Sequence, residues 1–453
     1  MKKLNWRLAS MFSIVGALSA NQAVQAAGFA LSETSGSFVG TAFAGAGSAK
    51  GDLSTMYRNP ATMMSIEKRH AAAAQVSLIM PNIKFTNASS YFFNGALISG
   101  TNSGNAGSAT PIPSAYLMYN AGHNLRLGVG VTSPWGLKTE YDLNSVMRYR
   151  AVRSQIETVN VNPNVAWRFH RQWTVGAGLQ IQYMKAKLSR VADVGGIINQ
   201  AALGFTPGSR DTLVDVYGND WGYGGVIGFI YEPVESTRLG LTYRSHIAHR
   251  LEGKATVYNK PASPIALIQA GLDRLPTSGD AVSSSLTTPE TINFSFTHEI
   301  DPKWTVMGDA VWTNWARIED LKINTTNRFG VSLPTSIEKQ SWQNTIMVSL
   351  GTTYKPHQDW KLKLGLAYDQ SPVHTEFRSP RLPDADRYWT AIGATYSPNH
   401  WVDLDLSYAH LFVKDGTSSL ASTKLAGGTT TDNLMGNYKS RLDIVSLQAR
   451  VKF

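Results

Sequence analysis

The chain of 453 residues contains no cysteine, so disulfides and thiolate ligation of zinc are excluded at the outset. Charge is scarce too: Asp, Glu, Lys and Arg make up 16% of the residues, against roughly 25% in ordinary soluble domains. Beyond the N-terminal segment there is no apolar run of about 18 residues, which excludes a bundle of membrane-spanning helices. No run of Lys and Arg marks a nucleic-acid surface. The formal net charge of +10 is spread along the chain and suits anionic lipid head groups or acidic ligands. What is plentiful is Gly (39), Tyr (18), Phe (16) and Trp (12), at a mean hydropathy of −0.17. A transmembrane β-barrel reconciles these features, because only every second residue of each strand meets lipid.

The first residues set the compartment. Lys2, Lys3 and Arg7 precede an apolar stretch from Leu8 to about Ala20, and Val24 and Ala26 fit the small-residue cleavage rule. Residues 1–26 therefore read as a secretory signal peptide too short to span a bilayer, with the mature chain starting at Ala27. Its removal takes three basic residues and leaves a net charge of about +7. Residues 27–66 differ from everything after them. They lack alternation and carry Gly36, Gly40, Gly45, Gly47 and Gly51 among many Ala and Ser.

From residue 67 to 453 the dominant signal is a period of two. Trp173, Val175, Ala177, Leu179, Ile181 and Tyr183 alternate with Thr174, Gly176, Gly178, Gln180 and Gln182. Leu362, Leu364, Leu366 and Tyr368 alternate with Lys361, Lys363, Gly365 and Ala367 in the same way. Short turns near Gly122, His170, Pro233, Pro302, Pro356 and Pro398 take turns with long polar connections near 87–111, 142–149, 189–218, 257–287, 319–340, 371–387 and 414–437. That rhythm predicts an all-β antiparallel barrel of about fourteen strands with both ends on the short-turn side. Trp173, Trp304, Trp360 and Trp401 each follow a short turn by a few residues, where an amphipathic ring meets the membrane interface. The last strand alternates up to a terminal Phe453, which resembles the signature that outer-membrane assembly machinery reads. A barrel of this width cannot be filled by its own wall side chains. Residues 27–66 are accordingly read as a hatch inside the lumen of a barrel formed by residues 67–453.

Other candidate chemistry falls away. His246 and His249, three apart on a strand, point to opposite faces and cannot share a metal ion. Asp403 and Asp405 share a face, which reads as the polar lumen. Gly45-Ala46-Gly47-Ser48-Ala49-Lys50 has neither the spacing nor the setting of a phosphate loop. No nucleophile, base and orienting group converge, so no catalytic residue, metal or cofactor is expected, and the chain reads as a non-enzyme. A general porin would need an open lumen, which the hatch denies it.

Five segments together resemble the FadL family of outer-membrane transporters of long-chain fatty acids and other hydrophobic compounds. They are Ala27-Gly28-Phe29 at the mature start, Arg58-Asn59-Pro60-Ala61 in the hatch, and Pro134-Trp135-Gly136-Leu137-Lys138-Thr139-Glu140-Tyr141 on the third strand. Ala186-Lys187-Leu188-Ser189-Arg190 at the end of the fifth strand follows, then Ser371-Pro372-Val373 with Pro383-Asp384-Ala385-Asp386-Arg387-Tyr388-Trp389 around the sixth outer loop. The resemblance implies a fourteen-stranded barrel in the outer membrane that passes hydrophobic molecules, most simply long-chain fatty acids. It implies capture between the outer loops and sideways exit through a kink in the third strand, at Pro134 and Gly136. It further implies that Asn59, Pro60 and Ala61 set a hatch turn facing the kink, that Phe29 touches ligand, and that Arg190 pairs with a carboxylate. One departure bears on substrate. Some fatty-acid members carry a second basic residue where Trp342-Gln343-Asn344 stands here, which keeps neutral monoaromatic or alkane hydrocarbons as the alternative cargo. The implied partners are a hydrophobic small molecule, outer-membrane lipid and lipopolysaccharide, and the assembly machinery, with no nucleic acid.

Overall fold

Strand alternation translates directly into an inside-out arrangement. On one strand Leu362, Leu364 and Leu366 are 46%, 52% and 57% exposed while Lys363 between them is 8% exposed, so the apolar face points outward and the polar face inward. A soluble sandwich buries its apolar face; this wall is solvated by hydrocarbon instead.

A computed structural model describes residues 27–122, 124–199, 204–273, 275–421 and 432–453. The expected signal peptide over 1–26 lies outside them. The wall consists of fourteen antiparallel staves, several of them interrupted. They are β1 (His70–Tyr91), β2 (Thr110–Gly122), β3 (Leu125–Thr132, continued by Gly136–Glu140), β4 (Arg153–His170), β5 (Trp173–Ala192), β6 (Thr212–Val234) and β7 (Thr237–Arg244, continued by Ile247–Tyr258). The remainder are β8 (Ala281–Thr288, continued by Thr291–Glu299), β9 (Trp304–Thr313, continued by Asp320–Thr326), β10 (Ser336–Lys339, continued by Thr345–His357), β11 (Trp360–Asp369), β12 (Arg387–Asn399), β13 (Val402–Val413, continued by Gly416–Leu420) and β14 (Asn433–Lys452). Each stave pairs with the next, and β14 pairs with β1 from Ala71↔Lys452 to Tyr91↔Asn433, which closes the barrel. Closure removes the sheet edges that hydrocarbon would not tolerate.

Aromatic pairs mark the two rims of the apolar band. At the short-turn end Trp173 stacks on Tyr231, Trp304 on Tyr354 and Trp360 on Tyr396, with centroids 4.3, 4.5 and 4.8 Å apart. At the far rim Tyr183 packs on Trp221 and Tyr368 on Tyr388. Phe453 stacks on His70 at 5.3 Å, so the last ring of the chain lies at the closing seam.

The outer connections need correction. Staves run well into the stretches expected to be loops: β5 continues to Ala192 and β6 resumes at Thr212, and the expected loop over 319–340 contains two strand segments, Asp320–Thr326 and Ser336–Lys339. Above the membrane the phase of the alternation inverts. On β7, Leu241 and Tyr243 point out within the band, whereas higher up Arg250 and Glu252 form an exposed ion pair outside and Leu251 is buried inside.

Inside the barrel, residues 27–65 form short helical turns because capping residues recur. Ser35, Asp52 and Asn59 accept from the backbone N–H groups of Phe38, Ser54 and Ala61, and Pro60 opens the last turn, where its missing donor costs nothing. An ionic network fixes this hatch to the wall. Asp405 is bonded by Lys363 Nζ at 2.8 Å and by Arg450 Nε at 3.0 Å, Arg450 reaches Asp52 at 3.1 Å, and Lys363 also donates to the Ser37 carbonyl at 3.1 Å. Asp403 joins through Lys452 at 2.9 Å, which places both aspartates on the lumen side. The expected face assignment of His246 and His249 also holds: His246 is exposed and His249 is buried.

If the outward leucines sit in hydrocarbon, Leu406→Arg destabilises the folded barrel by about 2–4 kcal/mol in urea unfolding from lipid vesicles. A change below about 0.5 kcal/mol would place Leu406 outside the membrane.

Candidate functional site

The third stave is the place where the ladder fails. β2 and β3 pair from Gly122↔Leu125 to Ala115↔Val131 and stop there, while β1 and β2 continue to Ile79↔Thr110. β3 resumes at Gly136 and pairs only with β4, from Gly136↔Glu157 to Glu140↔Arg153. Between the two halves stand Ser133, Pro134 and Trp135, and Pro134 has no N–H to offer.

Two further prolines lie opposite. The bond from Asn120 N–H to the Arg69 carbonyl shows that even-numbered residues of β2 aim their backbone groups at β1, so odd-numbered ones face β3. Extending the Ala115↔Val131 register places Pro113 opposite Ser133 and Pro111 opposite Trp135, at positions where each would otherwise present a donor to the break. Proline is tolerated only at such edges. Sequence reasoning missed this pair, although prolines two apart on a strand are a readable sign of an unpartnered edge.

Beyond the break the hatch takes over as partner. Leu31 N–H donates to the Pro134 carbonyl at 2.8 Å, and Gly136 N–H donates to the Phe29 carbonyl at 2.8 Å. The Trp135 backbone turns the other way: its N–H donates to Thr158 Oγ1 at 3.0 Å, and the Thr158 hydroxyl donates to its carbonyl at 2.7 Å. The break in the ladder is thus framed by residues 29–31. The Asn59-Pro60-Ala61 turn lies elsewhere, against β5 and β6. Gly176 and Gly228 have no room for a Cβ, because the Ala61 nitrogen and the Asn59 carboxamide occupy that space, and Asn59 Nδ2 donates to the Phe229 carbonyl at 3.1 Å.

Above the break lies an apolar cavity whose walls include Phe29, Leu137, Ile156, Leu251 and Trp342. Its floor is an aromatic cluster: Phe29 lies 5.7 Å from Trp135, 5.0 Å from Trp315 and 5.9 Å from Trp342, and Trp315 lies 5.2 Å from Trp342. Gly28, at φ +63° and pressed against Trp315, could not be replaced by a residue with a side chain. Its N–H donates to Asp384 Oδ2 at 3.0 Å, which ties this end of the hatch to the sixth outer loop.

Further out, a larger cleft shares Leu188, Val216, Leu321, Ile323 and Arg381 with the apolar cavity. Arg190 lines it together with Arg150, Lys339 and Arg381. Arg381 donates to Glu338 at 2.7 Å and to Ser154 Oγ at 3.2 Å. Gln343, in place of a cation, donates to the Ser371 carbonyl at 3.1 Å. Of the guanidiniums that share this cleft with Arg190, Arg381 comes from the sixth loop, which linear order does not bring near the fifth stave.

Within the hatch, Glu33 is 1% exposed and burial pushes its carboxyl up to about 7, with Arg58 and Arg387 only partly opposing. Among the described residues no cluster of His, Asp and Glu could hold a metal ion.

The family model for the outer membrane protein transport protein family (OMPP1/FadL/TodX) matches residues 16–453. The long-chain fatty acid transport protein of Escherichia coli O6:H1 is 30% identical over 420 residues, covering 88% of this chain and 90% of that protein. A Pseudomonas aeruginosa FadL homologue of known crystal structure has a TM-score of 0.83 at 24% identity, covering 94% of this chain and all of the other. The Pseudomonas putida toluene transporter TodX has a TM-score of 0.66 at 17% identity, covering 91% and 98%. At those identities the two structures speak for the fold.

Replacing Pro111 and Pro113 together with valine restores two donors on the free edge of β2. The expected outcome is slow hydrogen exchange at both new amides and at Ser133 as β2 and β3 zip; fast exchange at all three would show that the prolines do not hold the edge apart. For Glu33, the folded value of about 7 lies above the ordinary 4.5, so its contribution to stability is complete below about 4.5 and is lost as pH rises through 7. Glu33→Gln is expected to flatten that dependence and gain roughly 3 kcal/mol above pH 8 in urea titrations, and parallel curves for the two proteins would refute the assignment.

Proposed function

The chain belongs to the outer membrane protein transport protein family (OMPP1/FadL/TodX), and from that membership we propose that it is a passive uptake channel for long-chain fatty acids. Membership makes it an outer-membrane transporter of hydrophobic compounds and not an enzyme. The observation that carries the finer reading is the continuity of spaces: a cleft holding Arg190 and Arg381 opens into an apolar cavity, whose aromatic floor abuts the broken third stave. The 30% identity to a long-chain fatty acid transport protein supports the same cargo.

In this reading the carboxylate is captured by Arg190 and Arg381 while the alkyl chain enters the cavity beside Phe29. A space lined by apolar side chains with a few polar anchors suits such a ligand. The ligand then leaves sideways past Pro134 and Gly136 into the membrane, because the hatch blocks the axis. Lateral exit spares an apolar chain both a water-filled pore and the polar sugar layer. The signal peptide at 1–26, the hatch at 27–66, the barrel at 67–453, lipopolysaccharide contact at the outer rim and recognition of Phe453 by assembly machinery belong to the same proposal. Neutral hydrocarbons are the second reading, favoured by Gln343 in place of a cation.

A deletion strain without paralogues is expected to lose growth on oleate as sole carbon source and to regain it with the intact gene, but not with a Pro134→Ala, Gly136→Val gene that straightens β3. Unimpaired growth of the deletion strain would end the fatty-acid reading. Full rescue by the straightened variant, folded by heat-modifiable gel mobility, would end lateral exit alone.

A further inference from the structure

Between the aromatic floor and the break in β3 lies a third space, whose walls include Leu31, Tyr57, Arg58, Pro134, Trp135 and Arg244. Its chemistry differs from that of the cavity above. Arg244, on β7, is 7% exposed; one of its nitrogens donates to the Tyr57 carbonyl, and its guanidinium lies 3.9 Å above the Tyr57 ring. Its Nη1 is buried without a hydrogen-bond partner in the protein. Arg58, in the hatch, donates to the Ser32 carbonyl at 3.3 Å and lies 4.8 Å over the Phe43 ring, and its Nε is likewise buried and unpartnered.

Other buried arginines are satisfied within the protein: Arg238, Arg387 and Arg450 pair with Glu232, Asp384 and Asp405, and Arg126 and Arg378 each donate to two backbone carbonyls. Among the described residues, no ion pair joins a carboxylate to Arg58 or Arg244. Asp369 lines the same space but sits 3.7 Å from Arg387. Glu33 is packed nearby, again without an ion pair to either arginine. Each guanidinium thus keeps a buried nitrogen without a partner, Arg58 being half-buried and Arg244 buried, and a carboxylate entering between them would satisfy both with charge-assisted hydrogen bonds.

We propose that Arg58 and Arg244 form an inner carboxylate station, which receives the head group of a fatty acid after it passes the Phe29 and Trp315 rings and before it leaves through the gap at Pro134. The station rests on the fatty-acid reading above and deepens it. It makes the route selective for amphiphilic acids, because a neutral hydrocarbon reaching this space leaves both cations uncompensated.

The test is equilibrium binding of oleate and of methyl oleate to the purified, detergent-solubilised protein. Arg190→Gln serves as the background, since it weakens capture in the outer cleft. In that background oleate is expected to bind about ten-fold more tightly than methyl oleate. Adding Arg58→Gln, which alters only the hatch, is expected to shrink the preference, and adding Arg244→Gln as well to abolish it, while methyl oleate binding stays the same. Arg244→Lys, which keeps a cation at the wall, is expected to retain most of it. A ten-fold preference that survives both glutamine substitutions overturns the inner station and leaves the proposed function standing. Equal binding of the two probes by the unsubstituted protein overturns both together.

Discussion

Hydrocarbon cannot hydrogen-bond a peptide group, and the architecture of this wall follows from that one fact. A closed ladder meets the requirement everywhere except at the third stave, where three separate devices reduce the number of backbone groups left without partners at the gap. Pro111, Pro113 and Pro134 remove donors. Thr158 takes both backbone groups of Trp135 with one hydroxyl, and Phe29 and Leu31 extend a short strand of hatch to the resumed β3. The opening is therefore not a defect in the sheet. It is a change of partner, from a neighbouring stave to the chain's own N-terminal segment.

That exchange explains why the hatch must be held so firmly. A strand that serves as the frame of an opening fixes the shape of the opening only if it cannot drift. The network of Asp52, Asp405, Lys363 and Arg450 at one end and the bond from Gly28 to Asp384 at the other hold it at both ends. Charges of this kind are affordable because the lumen is polar while the outside is apolar, the reverse of a soluble domain.

The same reversal decides what could be read from the sequence. Where a stave crosses lipid, the outward residue must be apolar at every second position, so alternation, short turns and the tryptophans at 173, 304, 360 and 401 revealed the barrel and its strand count. Where the stave rises above the membrane, the outward residue becomes polar and the inward one apolar, as on β5, where Gln180 and Gln182 point inward lower down but Met184 does so higher up with Lys185 exposed, and the pattern loses its phase. The upper parts of β5, β6, β9 and β10 consequently read as loops. Site residues followed the same divide. Phe29 and Arg190 were accessible through local motifs and do line the cavity and the cleft, whereas Arg381 reaches Ser154 from 227 positions away and has no local signature. The turn at Asn59 was legible as a cap but not as to where it docks, since the glycine seats at 176 and 228 are recognisable only once the staves carrying them are adjacent.

The order of the spaces also constrains cargo more tightly than any one of them does. A cationic cleft alone would suit any anion, and an apolar cavity alone any hydrocarbon. In the proposed route a cationic cleft leads into an apolar cavity, an aromatic floor separates that cavity from a second cationic space, and the exit opens toward lipid. A soluble anion gains nothing from the middle stage, and a hydrocarbon meets an uncompensated cost at the last one. Only a molecule that carries one carboxylate on a long apolar chain finds a favourable contact at each step. Because its chain can enter lipid while its head group is still held, it can cross the gap in β3 without either half being left unsolvated.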